Sequence, residues 1–265
     1  MSQFNLRTRL IGVDNATKEY ARNVFLGGGE IKLDTLYKVD TLVRNLKNSG
    51  IWYKIVDMGI FVGDNLNSAL TKLKVGPGSV PYITQTNLVA GDYNERGSLG
   101  GVQGNGSSKF MDVRIFSSRQ INIGDAHFAV YEDYNLSPVY GTHGVLEANN
   151  QRFEVGRISS TVSRFNPMTQ NAGSTIITPN TPFKLANSFR SNSMGYSNQS
   201  LILSYTNNAI SMGVISVRLL GTASNVTYNN SLLKFYSVGY GLTATEATSF
   251  YQVVQNFQTN LNRDI

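Results

Sequence analysis

The sequence predicts a mainly β fold, an antiparallel sandwich or jelly roll preceded by a helical segment and followed by a docking helix. Three observations carry this. Beyond about residue 85 the chain breaks into short alternating or apolar runs separated by Asn, Gly and Ser clusters, with no helical pattern between them. Before that point, apolar residues recur at helical spacing. From Leu232 a strand, a Gly-flanked turn and an amphipathic helix follow one another.

In chain order, Asp14 or Asn15 caps a short helix that runs to about Phe25 and stops at Gly27-Gly28-Gly29. A second helix starts near Asp34. It places Leu36, Val39, Leu42, Val43 and Leu46 on one face, with Gly50 where a C-terminal glycine belongs. Ile51-Trp52-Tyr53, an apolar Met58–Val62 segment and Leu66, Leu70 and Leu73 add short buried pieces. Gly76-Pro77-Gly78 marks the boundary expected between a mostly helical assembly segment, residues 1–84, and a sandwich domain with its helix, residues 85–265. Strands are expected at Phe110–Phe116, His127–Tyr131, Val145–Ala148, Arg152–Ile158, Ser174–Ile177, Leu201–Tyr205, Ser211–Leu219 and Leu232–Val238. In the fourth of these, Phe153, Val155 and Arg157 share a face. Thr243 and Glu246 form a capping box, and Ala247, Phe250, Val254, Phe257 and Leu261 form one face of the helix behind it.

Composition narrows the setting. Charged residues are 15% of the chain, against roughly 25% in an ordinary soluble protein. Asn, Ser, Thr, Gln and 25 Gly make up the polar balance, which suits a turn-rich secreted or virion-surface protein. The net charge is +6, yet the basic residues are scattered and not interleaved with aromatics, so no nucleic-acid partner is expected. There are no cysteines, which removes disulfides, thiolate metal sites and thiol nucleophiles. The first residues lack the apolar stretch of a signal peptide, and no apolar run approaches the ~20 residues of a membrane span, so membrane insertion is not expected. The Gly27–Gly29 and Gly97–Gly106 stretches lack the Lys-Ser/Thr and the following helix of a phosphate loop.

Three blocks resemble the concanavalin A-like (LamG-like) sandwich proteins of tailed bacteriophages. They are Thr35–Lys74, the glycine-rich GSLGGVQGNGSSKFMDV of Gly97–Val113, and the C-terminal FYSVGYGLTATEATSFYQVVQNFQTNLNR. Gly241, Leu242, Glu246, Tyr251, Phe257, Leu261 and Arg263 carry the likeness. It implies a concanavalin-like jelly roll in a virion, as a fibre, tail or capsid-decoration component whose partners are other virion proteins and further copies of itself. It carries over no catalytic residue. The expected function is therefore a non-enzymatic virion structural protein. A host-glycan receptor-binding protein is the alternative, and a polysaccharide depolymerase a third.

The residues themselves agree on the absence of an enzyme motif. Glycoside hydrolysis needs two carboxylates flanking the bond, and no E-x-D-x-x-E strand occurs. Glu132-Asp133 reads as a solvated loop, and His127 and His143 as packed or solvated histidines, since no nucleophile motif accompanies them. For a ligand, the segment Tyr131–His143 is the candidate. It sets Tyr131, Tyr134 and Tyr140 beside Asn135 and His143, combining aromatic plates with planar polar groups. No cofactor is required. Calcium, which LamG-like modules hold at a sandwich rim, is the one metal that Asp125, Asp133 and Asn135 could ligate as hard oxygen donors.

Overall fold

The computed structural model describes residues 10–116, 120–121, 124–133, 141–146, 151–159, 162–170, 175–177, 181–190, 192–206, 216–223 and 227–263. Within them two sheets stack face to face, and a layer of helices covers the far side of one sheet. The fold is mainly β, a sandwich with helices, as the sequence predicts.

Sheet 1 contains β1 (Ile55–Gly59), β2 (Lys72–Lys74), β4 (Tyr93–Asn94), β5 (Gly101–Gln103), β7 (Ala126–Asp133), β12 (Phe183–Phe189), β13 (Asn192–Ser197), β14 (Ser200–Thr206) and β18 (Leu232–Gly239). Its main path runs β14-β13-β12-β7-β18-β1-β2, and β5 joins β4 to β18. Sheet 2 contains β3 (Thr84–Thr86), β6 (Phe110–Phe116), β8 (Thr142–Leu146), β9 (Gln151–Arg157), β10 (Val162–Gln170), β11 (Thr175–Ile177), β15 (Ser216–Leu219), β16 (Gly221–Ala223) and β17 (Thr227–Tyr228). Its order is β11-β10-β9-β8-β15-β6-β3, with β16 alongside β8. Between the sheets, Phe128, Val130, Tyr236 and Val238 of sheet 1 meet Met111, Val113, Phe153, Val155 and Phe165 of sheet 2. Phe128 stacks on Phe153 at 5.3 Å between ring centroids.

Sheet 1 has a second apolar face, and three helices bury it. These are α1 (Asn15–Leu26), α2 (Leu33–Asn48) and α3 (Ala244–Asn260). The Asp14 carboxylate accepts from Ala16 N–H at the start of α1, and Gly27 closes it. Gly50, at φ 75°, follows α2 in the left-handed conformation that a residue without Cβ tolerates. At α3 both halves of the capping box form: Thr243 N–H donates to Glu246 Oε2 at 2.7 Å, and Glu246 N–H to Thr243 Oγ1 at 3.3 Å. Phe250 of α3 lies edge-on to Phe183, Phe235 and His127.

Across the expected 84/85 division, β1 is hydrogen-bonded along β18, and α1, α2 and α3 share one apolar core with sheet 1. Arg263 reinforces this. Its buried guanidinium donates to Phe61 O at 2.9 Å and Lys234 O at 2.7 Å, while Lys234 Nζ donates to Arg263 O at 2.8 Å. Burial lowers that guanidinium to about 10, which keeps it charged at neutral pH. One sequence expectation changes here: Glu132-Asp133 is not a loop, since both residues belong to β7 and are buried where β7 continues past Tyr131 between β12 and β18.

Phe250→Ala is expected to cost about 3–5 kcal/mol, since it empties the aromatic contact between α3 and sheet 1; a urea midpoint within error of wild type would count against that packing. A fragment beginning at Ser79 loses α1, α2, β1 and β2 and is expected to remain unfolded by near-ultraviolet circular dichroism. A cooperative melt would show instead that the sandwich stands alone.

Candidate functional site

The structure separates the residues that the sequence groups together. Tyr131 points into the helical layer, fully buried, and its hydroxyl donates to Gln255 Oε1 at 3.1 Å. His143 lies in β8 on the opposite side of sheet 1, in the inter-sheet space. Neither presents a surface to a sugar. Tyr134, Asn135 and Tyr140 lie outside the described residues. Asp125 precedes β7 and Asp133 is the last of its eight residues, so about 25 Å separates them at strand rise and they cannot share a calcium ion. The Asp125 carboxylate already accepts Gly241 N–H at 3.0 Å. Among the described residues no group of three His, Asp or Glu side chains is arranged to hold a metal.

Both histidines are built into the structure. His143 Nδ1 accepts Leu220 N–H at 2.9 Å, which leaves Nε2 to donate to Glu132 Oε2 at 2.6 Å. Glu132 Oε1 also faces the Lys184 ammonium at 3.3 Å. Burial lowers the Lys184 pKa against the pull of Glu132. His127 Nδ1–H donates to Tyr240 O at 2.6 Å, and Nε2 accepts from Ser237 Oγ at 2.9 Å. Burial lowers His127 to about 4 despite the Tyr240 carbonyl, so the ring is neutral at physiological pH.

The outer face of sheet 2 differs from all of this. Strand alternation turns Phe153, Val155 and Phe165 inward and Arg152, Glu154, Arg164 and Asn166 outward. Register then clusters the outward set, because Asn166 lies opposite Glu154 across the β9–β10 pair. Glu154 Oε1 accepts from Arg152 Nη1 at 2.7 Å, Asn166 Nδ2 at 2.9 Å and Arg164 Nη1 at 3.2 Å. Oε2 accepts from Thr142 Oγ1 at 2.7 Å. One carboxylate therefore anchors two guanidinium groups and an amide. A carboxylate only accepts, so Asn166 must turn Nδ2 toward it and Oδ1 away.

Across β8 the face continues through Gly144, at φ 126°, where a Cβ would stand 2.1 Å from Phe153 O. No side chain fits there. On its far side Arg218 lies opposite Gly144, with its guanidinium 4.0 Å over the Phe110 ring. Phe110 and Tyr228 form a tilted, half-buried aromatic pair at 6.3 Å. Arg152 Nε, Arg164 Nε, Arg218 Nε and Asn166 Oδ1 are buried without a hydrogen-bond partner. Glu154 and Asn166 are themselves 1% and 0% exposed, so the centre of the cluster is closed to solvent, and what the face presents outward is the partly exposed Arg164, Arg218, Phe110 and Tyr228. Further unpartnered buried atoms lie beneath the helices on Thr17, Tyr20, Gln258 and Arg263, and elsewhere on Gln103, Ser193 and Tyr205. By contrast the Arg164 side chain is 20% exposed.

No family model and no curated protein matches the chain. Solved structures do resemble it. One is a structure of botulinum neurotoxin type C, described for its interaction with two ganglioside molecules. It is 11% identical with a TM-score of 0.51, over 76% of this chain and 51% of that one. Two others are Trypanosoma rangeli sialidase, 9% identical with a TM-score of 0.46 over 84% and 39% of the two chains, and domain 4 of an extracellular GH43 arabinanase from Geobacillus stearothermophilus in complex with arabinotriose, 12% identical with a TM-score of 0.46 over 75% and 98%. The likeness to the toxin shows the fold. The chain spans about half the length of the toxin chain and about two fifths of the sialidase chain.

Sequence reasoning did not find the sheet 2 cluster, though a signal for it exists. The triplets Arg152-Phe153-Glu154 and Arg164-Phe165-Asn166 repeat one pattern, an apolar residue between two polar ones. Each phenylalanine goes to the core and each polar pair to the outer face.

The His127 shift sets a pH dependence. The unfolded imidazole titrates near 6.5 and the folded one near 4, so between these values the unfolded chain binds the extra proton. Stability should fall as pH drops from about 6.5 to 4, by ~3 kcal/mol from this residue. In His127→Gln that part of the acid-side loss should vanish. Denaturant titrations at each pH measure it, and parallel pH profiles for the two proteins would refute the assignment.

Proposed function

We propose that this chain is a non-enzymatic glycan-binding module of a virion surface assembly, with the outer face of sheet 2 as its binding surface. The observation that carries this is the Glu154 cluster beside the Phe110–Tyr228 pair. Sugars present hydroxyls that pair with planar donors and acceptors, and C–H faces that rest on aromatic rings. Both complements reach the surface of one face, the aromatic pair with Arg218 over Phe110 and Arg164 held by Glu154, so little ordering entropy opposes binding. The binding of gangliosides said of the botulinum toxin is consistent with a glycan ligand. The virion setting comes from the resemblance to tailed-phage sandwich proteins. There a weak site per copy would gain avidity from display in several copies.

Hydrolysis is a poor fit to the same face. Its two carboxylates, Glu154 and Asp112, stand on β9 and β6 with β8 and β15 between them. Three strand spacings put them roughly 14 Å apart, against the ~5–9.5 Å between glycosidase carboxylates.

Fluorescently labelled protein should bind candidate bacterial cells saturably, and stripping the surface polysaccharide should abolish that binding. Arg164→Ala and Phe110→Ala should each weaken it by about tenfold, the scale of one hydrogen bond to a charged group or one ring contact. No reducing ends should appear in the bound polysaccharide. Binding that survives both substitutions and the stripping would refute the glycan reading, and released reducing ends would refute the non-enzymatic one.

A further inference from the structure

We propose that the edge strand β14 joins a second copy of this chain, antiparallel about a two-fold axis, so that sheet 1 runs on from one copy into the other. This inference does not depend on the glycan reading. β14 ends sheet 1 at one side: it is paired with β13, and among the described residues nothing pairs with its outer edge. It has seven residues, Ser200–Thr206, whereas the terminal strands β2, β3 and β11 have three each. Sheets protect a free edge by shortness, charge, proline or a bulge. β2 uses two of these, being short and reading Lys-Leu-Lys. β14 reads Ser-Leu-Ile-Leu-Ser-Tyr-Thr, without charge or proline. Its one irregularity is a register shift at Gly195 and Tyr196, which leaves Leu203–Thr206 regular.

What this edge displays fits another copy of itself. Leu201 is 51% exposed, and Ile202 and Leu203 are only part-buried against the inter-sheet core. No Asp, Glu, Lys or Arg occurs from Ser191 to Val217, the longest uncharged run in the chain, and β13 and β14 lie wholly within it. Two chains of net charge +6 repel, so a contact between copies needs a surface free of charge. β13 and β14 supply one, and a strongly charged partner would find nothing there to pair with. Antiparallel pairing also makes the strand its own complement. A two-fold axis brings each free N–H of one copy to a free C=O of the other, and the contact closes at two chains. An axis normal to the sheet sets one residue against itself, because directly opposed side chains share a face. Ser204, exposed and inside the regular half of β14, is that residue. Leu203 of one copy then faces Tyr205 of the other.

The test is the mass of the whole protein by analytical ultracentrifugation over a range of concentrations. A monomer–dimer equilibrium that goes no further than two chains is the expected result. Ser204→Lys and Thr206→Lys, both at exposed positions, should each weaken the dimer by roughly five- to tenfold, since like charges then meet across the axis. Asn45→Lys adds the same charge on the exposed face of α2 and should leave the dimer unchanged. Amide hydrogen exchange decides the matter even if a variant misfolds: in the wild-type protein the β14 amides should slow as concentration rises. A single-chain mass at every concentration up to about 1 mM overturns the proposal. A dimer whose β14 amides exchange as fast as those of the monomer overturns it too, because the contact then lies elsewhere. So does a dimer that both well-folded lysine variants leave at full strength, and so does growth beyond two chains.

Discussion

Sheet 1 is apolar on both faces, and the rest of the architecture answers that fact. Every residue of β7 and of β18 is buried. In β18, Tyr236 and Val238 turn toward sheet 2 while Phe235 turns toward Phe250 of α3. A strand buried on both sides cannot be left against water, so a covering layer is obligatory. The helices supply it from distant parts of the chain: α1 and α2 precede the strands, and α3 follows them. Arg263 then ties the end of α3 to the Phe61 and Lys234 carbonyls. With the helices committed there, the outward positions of β9, β10 and β15 carry arginine, glutamate and asparagine. These polar positions are held by one another, through Glu154, and not by the helices.

Local chemistry made part of this legible. The helices could be read because their caps are local: Asp14, Gly50, and Thr243 with Glu246 each act within a few residues. The apolar strands β6, β7, β9 and β18 could be read for the same reason. β10 escaped because Pro167 interrupts it, and the structure accommodates that proline at a register shift between Pro167 and Thr169. β12 escaped because Lys184 and Ser188 break its pattern; both are buried, and the contacts of Lys184 with Glu132 and Thr181 O help to make that tolerable.

The site was hidden by a different cause. A polar residue in a strand reads as solvated until its cross-strand neighbour is known, and the neighbour of Glu154 is Asn166, fixed only by the β9–β10 register. Tyr131 misled in the opposite sense. Beside Tyr134 and Asn135 it looks like part of a recognition loop, but a helix more than a hundred residues away buries it, with Gln255 on its hydroxyl. Burial decided by distant chain is not written in a local window.

The buried charges divide into complete and incomplete sets. Lys72 directs its ammonium to Asp57 at 2.9 Å, to Ser79 Oγ at 2.7 Å and to the Val113 carbonyl. Asp57 in turn takes Tyr236 Oη at 2.6 Å and Gly76 N–H at 3.1 Å. Such a set is complete in itself, and well-packed apolar side chains of the same shape could replace it at little net cost. The sheet 2 face is complete only around Glu154. Its three arginine Nε atoms and Asn166 Oδ1 each carry an uncompensated desolvation of ~1–3 kcal/mol, and like Gln258 and Arg263 beneath the helices they are closed to solvent. Unlike the Lys72–Asp57 set, this one is tolerated only because Glu154 holds both guanidinium groups by their Nη1 atoms, so Glu154 is the residue on which its stability turns.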